Sequence, residues 1–294
     1  MRSGSILMLA VLCSGVLPAG AAGVPGATQR ALDSALTGTG AVAVVLDGGD
    51  GRLIAVERAD EAGRRASAPG STLKPFFLAA ALRQGRVRAE TTVVCRGDLR
   101  IAGRDLACTH PREENVLNAE RALAYSCNTW FANLATRFAP QQAAEVLRAY
   151  GFGSRTGIVA DESAGVVRTP ANEPELQLLV LGLENVEVTP AQLAHAYFQL
   201  GREFDQVPVV RRGLEDSIVY GMAHNAATPG MTIAGKTGTA GNAGEAWTHG
   251  WFAGIASRGA KRVVVVIYVP RGNGADAAGL AHRFFEAWDR TAAG

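Results

Sequence analysis

The sequence predicts an α/β protein of the α+β type: a central antiparallel sheet of about five strands, flanked by the terminal helices, with a helical lobe forming a cleft on the other face. Three observations predict it. Strand-like runs sit at both ends of the chain, Ala41 to Leu46 and Arg52 to Glu57 early, then Thr232 to Ala240, His249 to Ser257 and Arg262 to Pro270 late. Short turns join neighbouring strands, which implies antiparallel pairing. Helical patterns fill the middle.

In chain order, residues 27–37 read as a short helix. Asp47-Gly48-Gly49-Asp50-Gly51 links the first two strands as a hairpin, with glycine supplying positive φ. Ala68-Pro69-Gly70 breaks the chain, and a helix rich in Ala, Leu and Phe runs from Ser71 to about Gln84. Further helical patterns cover 116–137, 141–150 and 189–201. Gly151-Phe152-Gly153 stops one, and Thr189-Pro190 opens the last with an N-cap and a proline at the first helical position. Val263 to Ile267 lacks polar alternation, so it reads as a central strand buried on both faces. Arg258-Gly259-Ala260-Lys261 turns the chain before it, and a final helix runs from an N-cap at Asp276 to Arg290.

Residues 1–22 carry Arg2, an apolar centre from Ile6 to Leu17, and small residues ending in Ala19-Gly20-Ala21. That layout is a secretory signal, with an uncleaved N-terminal anchor as the alternative. Residues 23–294 then form a single domain, since no linker divides them. With net charge +2 and scattered basic residues, nucleic acid is excluded as a partner. Export permits disulfides, and the hairpin-like stretch Arg96 to Ala107 favours a Cys95–Cys108 bridge, leaving Cys127 as a free buried thiol. The three cysteines show no metal-ligand spacing.

Three short elements carry chemistry. Ser71-Thr72-Leu73-Lys74 places a hydroxyl and an amine one helical turn apart. A lysine acts as base toward serine only when burial or another cation lowers its pKa, and Leu73, Phe76 and Phe77 offer a dry setting. Ser126-Cys127-Asn128 supplies a second hydroxyl and an amide. Lys236-Thr237-Gly238-Thr239 lies on a predicted strand; Lys236 and Thr237 suit a carboxylate, Gly238 admits a substrate backbone, and the Thr239 N–H joins that of Ser71 as an oxyanion donor. Each element alone is weak; a capping serine, a surface lysine and a bent edge strand explain them as well. Their order together is specific.

With these residues the chain resembles the penicillin-binding transpeptidase domain, a serine acyl-transferase family shared with β-lactamases. Pro69 to Phe76, Ala122 to Phe131, Val188 to Ala194 with Ala196-Tyr197, and Trp251 to Gly254 extend the resemblance over about residues 40–290. It implies an exported enzyme acylated through Ser71 by D-alanyl-D-alanine ends of peptidoglycan stem peptides, and by β-lactams as mimics. It further implies Lys74 as base, Ser126 as proton relay, Asn128 as amide binder, and Lys236 with Thr237 as carboxylate binders. No metal or cofactor is implied, and membrane-anchored cell-wall synthesis proteins are conceivable partners. The first strand begins at Ala41, so the chain reads as close to a bare catalytic domain. Where the family often has a Gly-Gln-Gly turn, this chain has Gly182-Leu183-Glu184-Asn185, which bears on the acyl acceptor.

Three alternatives stand beside the transpeptidase: a D,D-carboxypeptidase, a serine β-lactamase, and a non-catalytic β-lactam or peptidoglycan sensor or scaffold. Glu173-Pro174-Glu175-Leu176 resembles a deacylating loop, but an acidic surface turn explains it better. His249 is read as lining the cleft. No nucleophile elbow supports a Ser-His-Asp triad.

Overall fold

The computed structural model describes residues 26–242 and 244–292. The proposed export segment, residues 1–22, lies outside them. Strands β1 (Val42–Asp47), β2 (Leu53–Glu57), β3 (Thr232–Ala240), β4 (His249–Arg258) and β5 (Lys261–Val269) form one antiparallel sheet in the order β2-β1-β5-β4-β3. β5 is central, as its unbroken valine run requires, and Val44 faces Val266 across the β1–β5 pair.

Side chains alternate between two cores. Val263, Val265 and Ile267 meet Leu32, Phe284 and Phe285 of the terminal helices, Ala27–Leu36 and Gly274–Ala292. Val264, Val266 and Tyr268 meet the helical lobe on the other face. Each fully buried side chain of this size contributes about 1.5–3 kcal/mol. The last helix starts earlier than expected. Asn273 is its cap, accepting from the backbone N–H groups of Ala275 and Asp276, while Asp276 returns its carboxylate to the Asn273 N–H. Asp276 is thus the third residue of a capping box rather than the cap.

The lobe holds the helices Lys74–Arg83, Ala119–Ala124, Asn128–Ala135, Pro140–Ala149, Glu173–Val180, Pro190–Arg202 and Pro208–Val219. The single pattern at 116–137 is split in two by Ser126, whose φ of 56° is left-handed. Thr189 caps the Pro190 helix in a capping box with Gln192. Three helices were not anticipated, the short Ala59–Arg64 among them. Glu173–Val180 occupies the acidic stretch read as a surface turn; Asn172 caps it, and Leu176, Leu178 and Leu179 are buried. Pro208–Val219 buries Val209, Val210, Leu214 and Ile218 against β3 and the Ala119 helix.

A relay of hydrogen bonds ties the lobe to the turn before Ser71. Glu162 accepts from the backbone N–H groups of Thr156, Gly157, Ile158 and Val159 and from the Thr156 hydroxyl. Gln192 donates to the Ser154 and Ala164 carbonyls on either side of that loop. From there Val166–Val167 pairs with Val186–Glu187, and Val188 bridges to Ser67. Burial opposes the charge on Glu162, but the N–H of Val159, the Thr156 hydroxyl and the N–H groups of Gly157 and Thr156 outweigh it and lower its pKa.

Replacing Glu162 by Ala is expected to cost about 3 kcal/mol in urea unfolding, since a hydrogen bond to a charged group contributes about 1.5–3 kcal/mol and several are lost. The folded carboxyl titrates below its unfolded value of about 4.3. Its contribution is therefore full above that pH and disappears as pH falls through the folded value. The gap between wild type and variant should close on acidification; a constant gap would refute the carboxylate's role.

Candidate active site

Ser71 lies in a tight helical turn, Gly70–Leu73, that leads into the Lys74–Arg83 helix. The surroundings leave this turn little freedom. The Ala68 carbonyl accepts from His249 Nε2 at 2.8 Å and from Trp251 Nε1 at 3.0 Å. Gly70 donates to the Gly182 carbonyl at 2.9 Å, and Tyr197 donates its hydroxyl to the Thr72 carbonyl at 3.0 Å. Below, the Phe76 ring packs against Tyr150, Phe152 and Tyr197 at 4.8–5.4 Å between centroids. Gly70 has φ of +56°, and a Cβ there would lie 2.8 Å from the Thr239 carbonyl oxygen. His249 is therefore not a cleft-lining residue: it is fully buried behind the turn, and burial lowers its pKa.

Lys74 is also fully buried. Its Nζ donates to the Ser126 carbonyl at 2.7 Å, to Ser126 Oγ at 3.2 Å and to Asn128 Oδ1 at 2.6 Å. The left-handed Ser126 makes this possible, because it turns the chain so that carbonyl, hydroxyl and the Asn128 amide converge on one point. Asn128 is held by its Nδ2 donating to the Leu106 carbonyl at 2.9 Å. Burial is the largest influence on Lys74 and lowers its pKa to about 8, against a smaller upward pull from Cys127 and Cys108.

Lys236, Thr237, Gly238 and Thr239 lie on β3, the edge strand facing the Ser71 turn. Lys236 is fully buried and donates to the Thr237 carbonyl at 3.1 Å. Burial first, and then the charge of Lys74, hold its pKa well below the usual lysine value. Two amines thus share one dry region. Thr237 Oγ1 donates to the Met222 carbonyl at 3.2 Å, and Thr239 Oγ1 accepts from the Gly274 N–H at 2.9 Å. A Cβ on Gly238 would lie 2.4 Å from the Pro69 carbonyl oxygen and 3.0 Å from Thr72 Cγ2, so the strand and the Ser71 turn are in direct contact. Glycine is needed there for the fold's own backbone.

Other sequence readings are altered. Glu175 accepts from the Ala171 N–H and the Asn172 and Asn185 amides, and Glu173 from Gln177, so both serve local structure. The Cys95–Cys108 bridge is not formed; Cys95, Cys108 and Cys127 are all free. The Ser126–Asn128 turn carries Cys127 in among them, so three sulfurs gather where two were expected. Cys108 and Cys127 Sγ are 3.7 Å apart, and the Asn128 N–H donates to Cys108 Sγ at 3.2 Å. Cys95, Cys108, Cys127 and His110 each place one possible ligand atom within 4.8 Å of the others. Sequence spacing concealed this cluster, because its members come from two loops and a helix start.

A sequence model described as penicillin binding protein transpeptidase domain matches residues 41–287. The chain belongs to that family. It is 26% identical over 285 residues to the peptidoglycan D,D-transpeptidase MrdA of Acinetobacter baumannii, covering 75% of this chain and 42% of that protein. It is 26% identical over 210 residues to stage V sporulation protein D of Bacillus subtilis, covering 58% of this chain and 32% of that protein. The chain thus spans less than half the length of these curated relatives. Among solved structures, the transpeptidase domain of Burkholderia pseudomallei penicillin-binding protein 3 superposes with a TM-score of 0.77 at 21% identity, covering 90% of this chain and 93% of that one. Pseudomonas aeruginosa PBP2 superposes with a TM-score of 0.76 at 19% identity, covering 89% and 74%. These likenesses show the fold.

Gly238→Ala is expected to lower unfolding stability by about 1–3 kcal/mol, because the methyl meets backbone that has no room to yield. Thermal or denaturant unfolding reads this directly. Stability equal to wild type would mean that β3 and the Ser71 turn are not in contact.

Proposed function

We propose that the chain is an exported serine acyl-enzyme D,D-transpeptidase acting on D-alanyl-D-alanine ends of peptidoglycan stem peptides, and that penicillins acylate it at Ser71. The observation that carries this reading is the buried Lys74 amine, one turn from Ser71 and bound to Ser126 and Asn128, with a second buried amine at Lys236 nearby. Family membership and the transpeptidase names of the relatives support it.

The residues suit each step. With a pKa of about 8, Lys74 is neutral in about a tenth of molecules at pH 7, enough to accept the Ser71 proton as the hydroxyl attacks the penultimate D-alanine carbonyl. The main-chain N–H groups of Ser71 and Thr239 face the developing oxyanion. Ser126, within 3.2 Å of Lys74, relays the proton to the departing D-alanine amine. Asn128 holds a substrate amide. Lys236 and Thr237 bind the terminal carboxylate, whose charge is the partner that the two buried amines lack. The acyl-enzyme is then resolved by an amine, forming a cross-link. Glu173 and Glu175 are engaged in helix capping and its first turn, which disfavours a water-activating role and hence the β-lactamase reading.

Labelling with a fluorescent penicillin tests this. A long-lived adduct is expected on Ser71, absent in Ser71→Ala, with peptide mapping to place it. No adduct on folded wild type would favour the scaffold reading, and rapid turnover the β-lactamase. The acylation rate should rise tenfold per pH unit below about pH 8 and level off above it, as Lys74 loses its proton. A rate that falls across this range would exclude Lys74 as base.

A further inference from the structure

Beside the Ser71 turn lies a recess that the chemistry above does not use. It is a cavity of about 440 Å³ whose wall includes Ala68, three residues before Ser71, and Gly241 and Asn242, just past the end of β3. We propose, resting on the function proposed above, that this cavity receives the side chain of the stem-peptide residue that precedes the D-alanyl pair. We further propose that it selects a diamino acid whose side chain ends in an amine and a carboxylate on one carbon.

The charges of the cavity make that choice. Arg104, Arg168, Glu184 and Glu187 line it, and Arg104 pairs with Glu184. Among the described residues, the Arg168 guanidinium and the Glu187 carboxylate have neither a hydrogen bond nor an ion pair. One charge of each sign is thus left over. A carboxylate alone would satisfy Arg168 and leave Glu187 facing a second negative group; an amine alone would do the reverse. A group carrying both leaves no charge unmatched, and such complementarity gives specificity more than raw affinity. Leu183 and Val186 supply apolar wall for the methylenes of the incoming side chain. The segment Gly182-Leu183-Glu184-Asn185, which departs from the family's usual turn, thereby gains a role.

Backbone holds the two unpaired groups in place. Val166 is matched with Glu187 in the Val166–Val167 and Val186–Glu187 ribbon, and the Arg168 N–H donates to the Asn185 carbonyl at 2.8 Å. Asn185 has a left-handed φ of 62°, and its amide donates to Glu175 at 3.2 Å. On the other side, Asn242 Oδ1 accepts from the Ala68 N–H at 3.3 Å and Asn242 Nδ2 donates to Glu245 at 3.1 Å. The cavity wall is therefore tied to the turn that carries Ser71. Its position suits the proposed substrate. A terminal carboxylate at Lys236 and Thr237, with the reacting carbonyl at Thr239, sets a direction along β3. Continued, that direction reaches Gly241 and Asn242, where the residue before the D-alanyl pair arrives. An acyl acceptor comes instead from the side that the terminal D-alanine has vacated.

Two penicillins with one nucleus and side chains of equal length test this, one ending in an amino-acid group (α-aminoadipyl) and one uncharged (hexanoyl). The charged compound should acylate the full chain about five- to tenfold faster, the size expected of two partly screened charge contacts. Added salt should shrink that preference. Arg168→Gln and Glu187→Gln, both at exposed positions and with circular dichroism confirming structure, should each reduce it to about threefold or less. Equal rates on wild type, or a preference that survives both substitutions, overturns the subsite. Binding provides a readout that needs no acylation. Ser71→Ala, titrated calorimetrically with stem pentapeptides, should bind one with the doubly charged end more tightly than one ending in the amine alone, and adding Arg168→Gln should erase the difference. Equal affinity for the two peptides overturns the subsite whatever the penicillins do. If no penicillin reacts and the difference is found, the acylation reading fails and the subsite stands. Substitutions that leave the penicillin preference intact and slow only the capture of the acyl-enzyme by a stem peptide give the cavity to the acyl acceptor and overturn this assignment.

Discussion

The whole arrangement turns on keeping two amines dry without a counter-ion. Lys74 and Lys236 are both fully buried, and among the described residues neither pairs with a carboxylate. Burying an unpaired charge is costly, and a lysine so placed gives up its proton more readily. The fold supplies neutral oxygen acceptors instead: the Ser126 carbonyl and hydroxyl, the Asn128 amide and the Thr237 carbonyl. Such acceptors tolerate either protonation state of the amine, whereas a carboxylate would lock it charged. Much of the local backbone serves this one demand. Ser126 is bent into a left-handed conformation, Gly238 lets β3 touch the Ser71 turn, and the thiol cluster grips the residue between Ser126 and Asn128.

Rigidity comes from the sheet. β5 and its neighbours are packed on both faces, and β4 reaches from that packed region to the Ser71 turn through Trp251 and His249, both donating to the Ala68 carbonyl. The lobe holds the same turn from the opposite side through Gly182 and Tyr197. A short helical turn would be mobile alone; gripped from both layers it presents Ser71 in one position.

Much of this was legible in the sequence. The five strands, their short connections and the central place of Val263 to Ile267 followed from hydrophobic pattern, since a strand covered on both faces has no reason to alternate. The three motif elements were legible because their spacing reflects local helix and strand geometry. What could not be read depended on residues far apart in the chain. The thiol and imidazole cluster assembles from separate segments and shows no regular interval. The Pro208–Val219 helix carries Gly213 and adjacent arginines that weaken its pattern, and is stabilised by its packing on β3. Asn and Asp suit a helix N-cap about equally, so the sequence alone does not choose between Asp276 and Asn273, and the structure gives the position to Asn273. The nearness of His249 to Lys236-Thr237-Gly238 suggests a cleft position, and it does share a face of the sheet with Lys236 and Gly238, but the turn before Ser71 covers it.

The sheet's connectivity also dictates when the protein acquires its shape. The first strand cannot find its inner neighbour until nearly the last has been delivered, because Val42 is matched with Tyr268. A chain threaded through a membrane from its amino end would carry β1 and β2 across as an unpartnered ribbon, with the crevice unassembled throughout the passage. Such long-range closure is slow to form. It also means that a chain truncated before β5 would lack the strand that joins β1 to β4 and so the sheet behind the Ser71 turn.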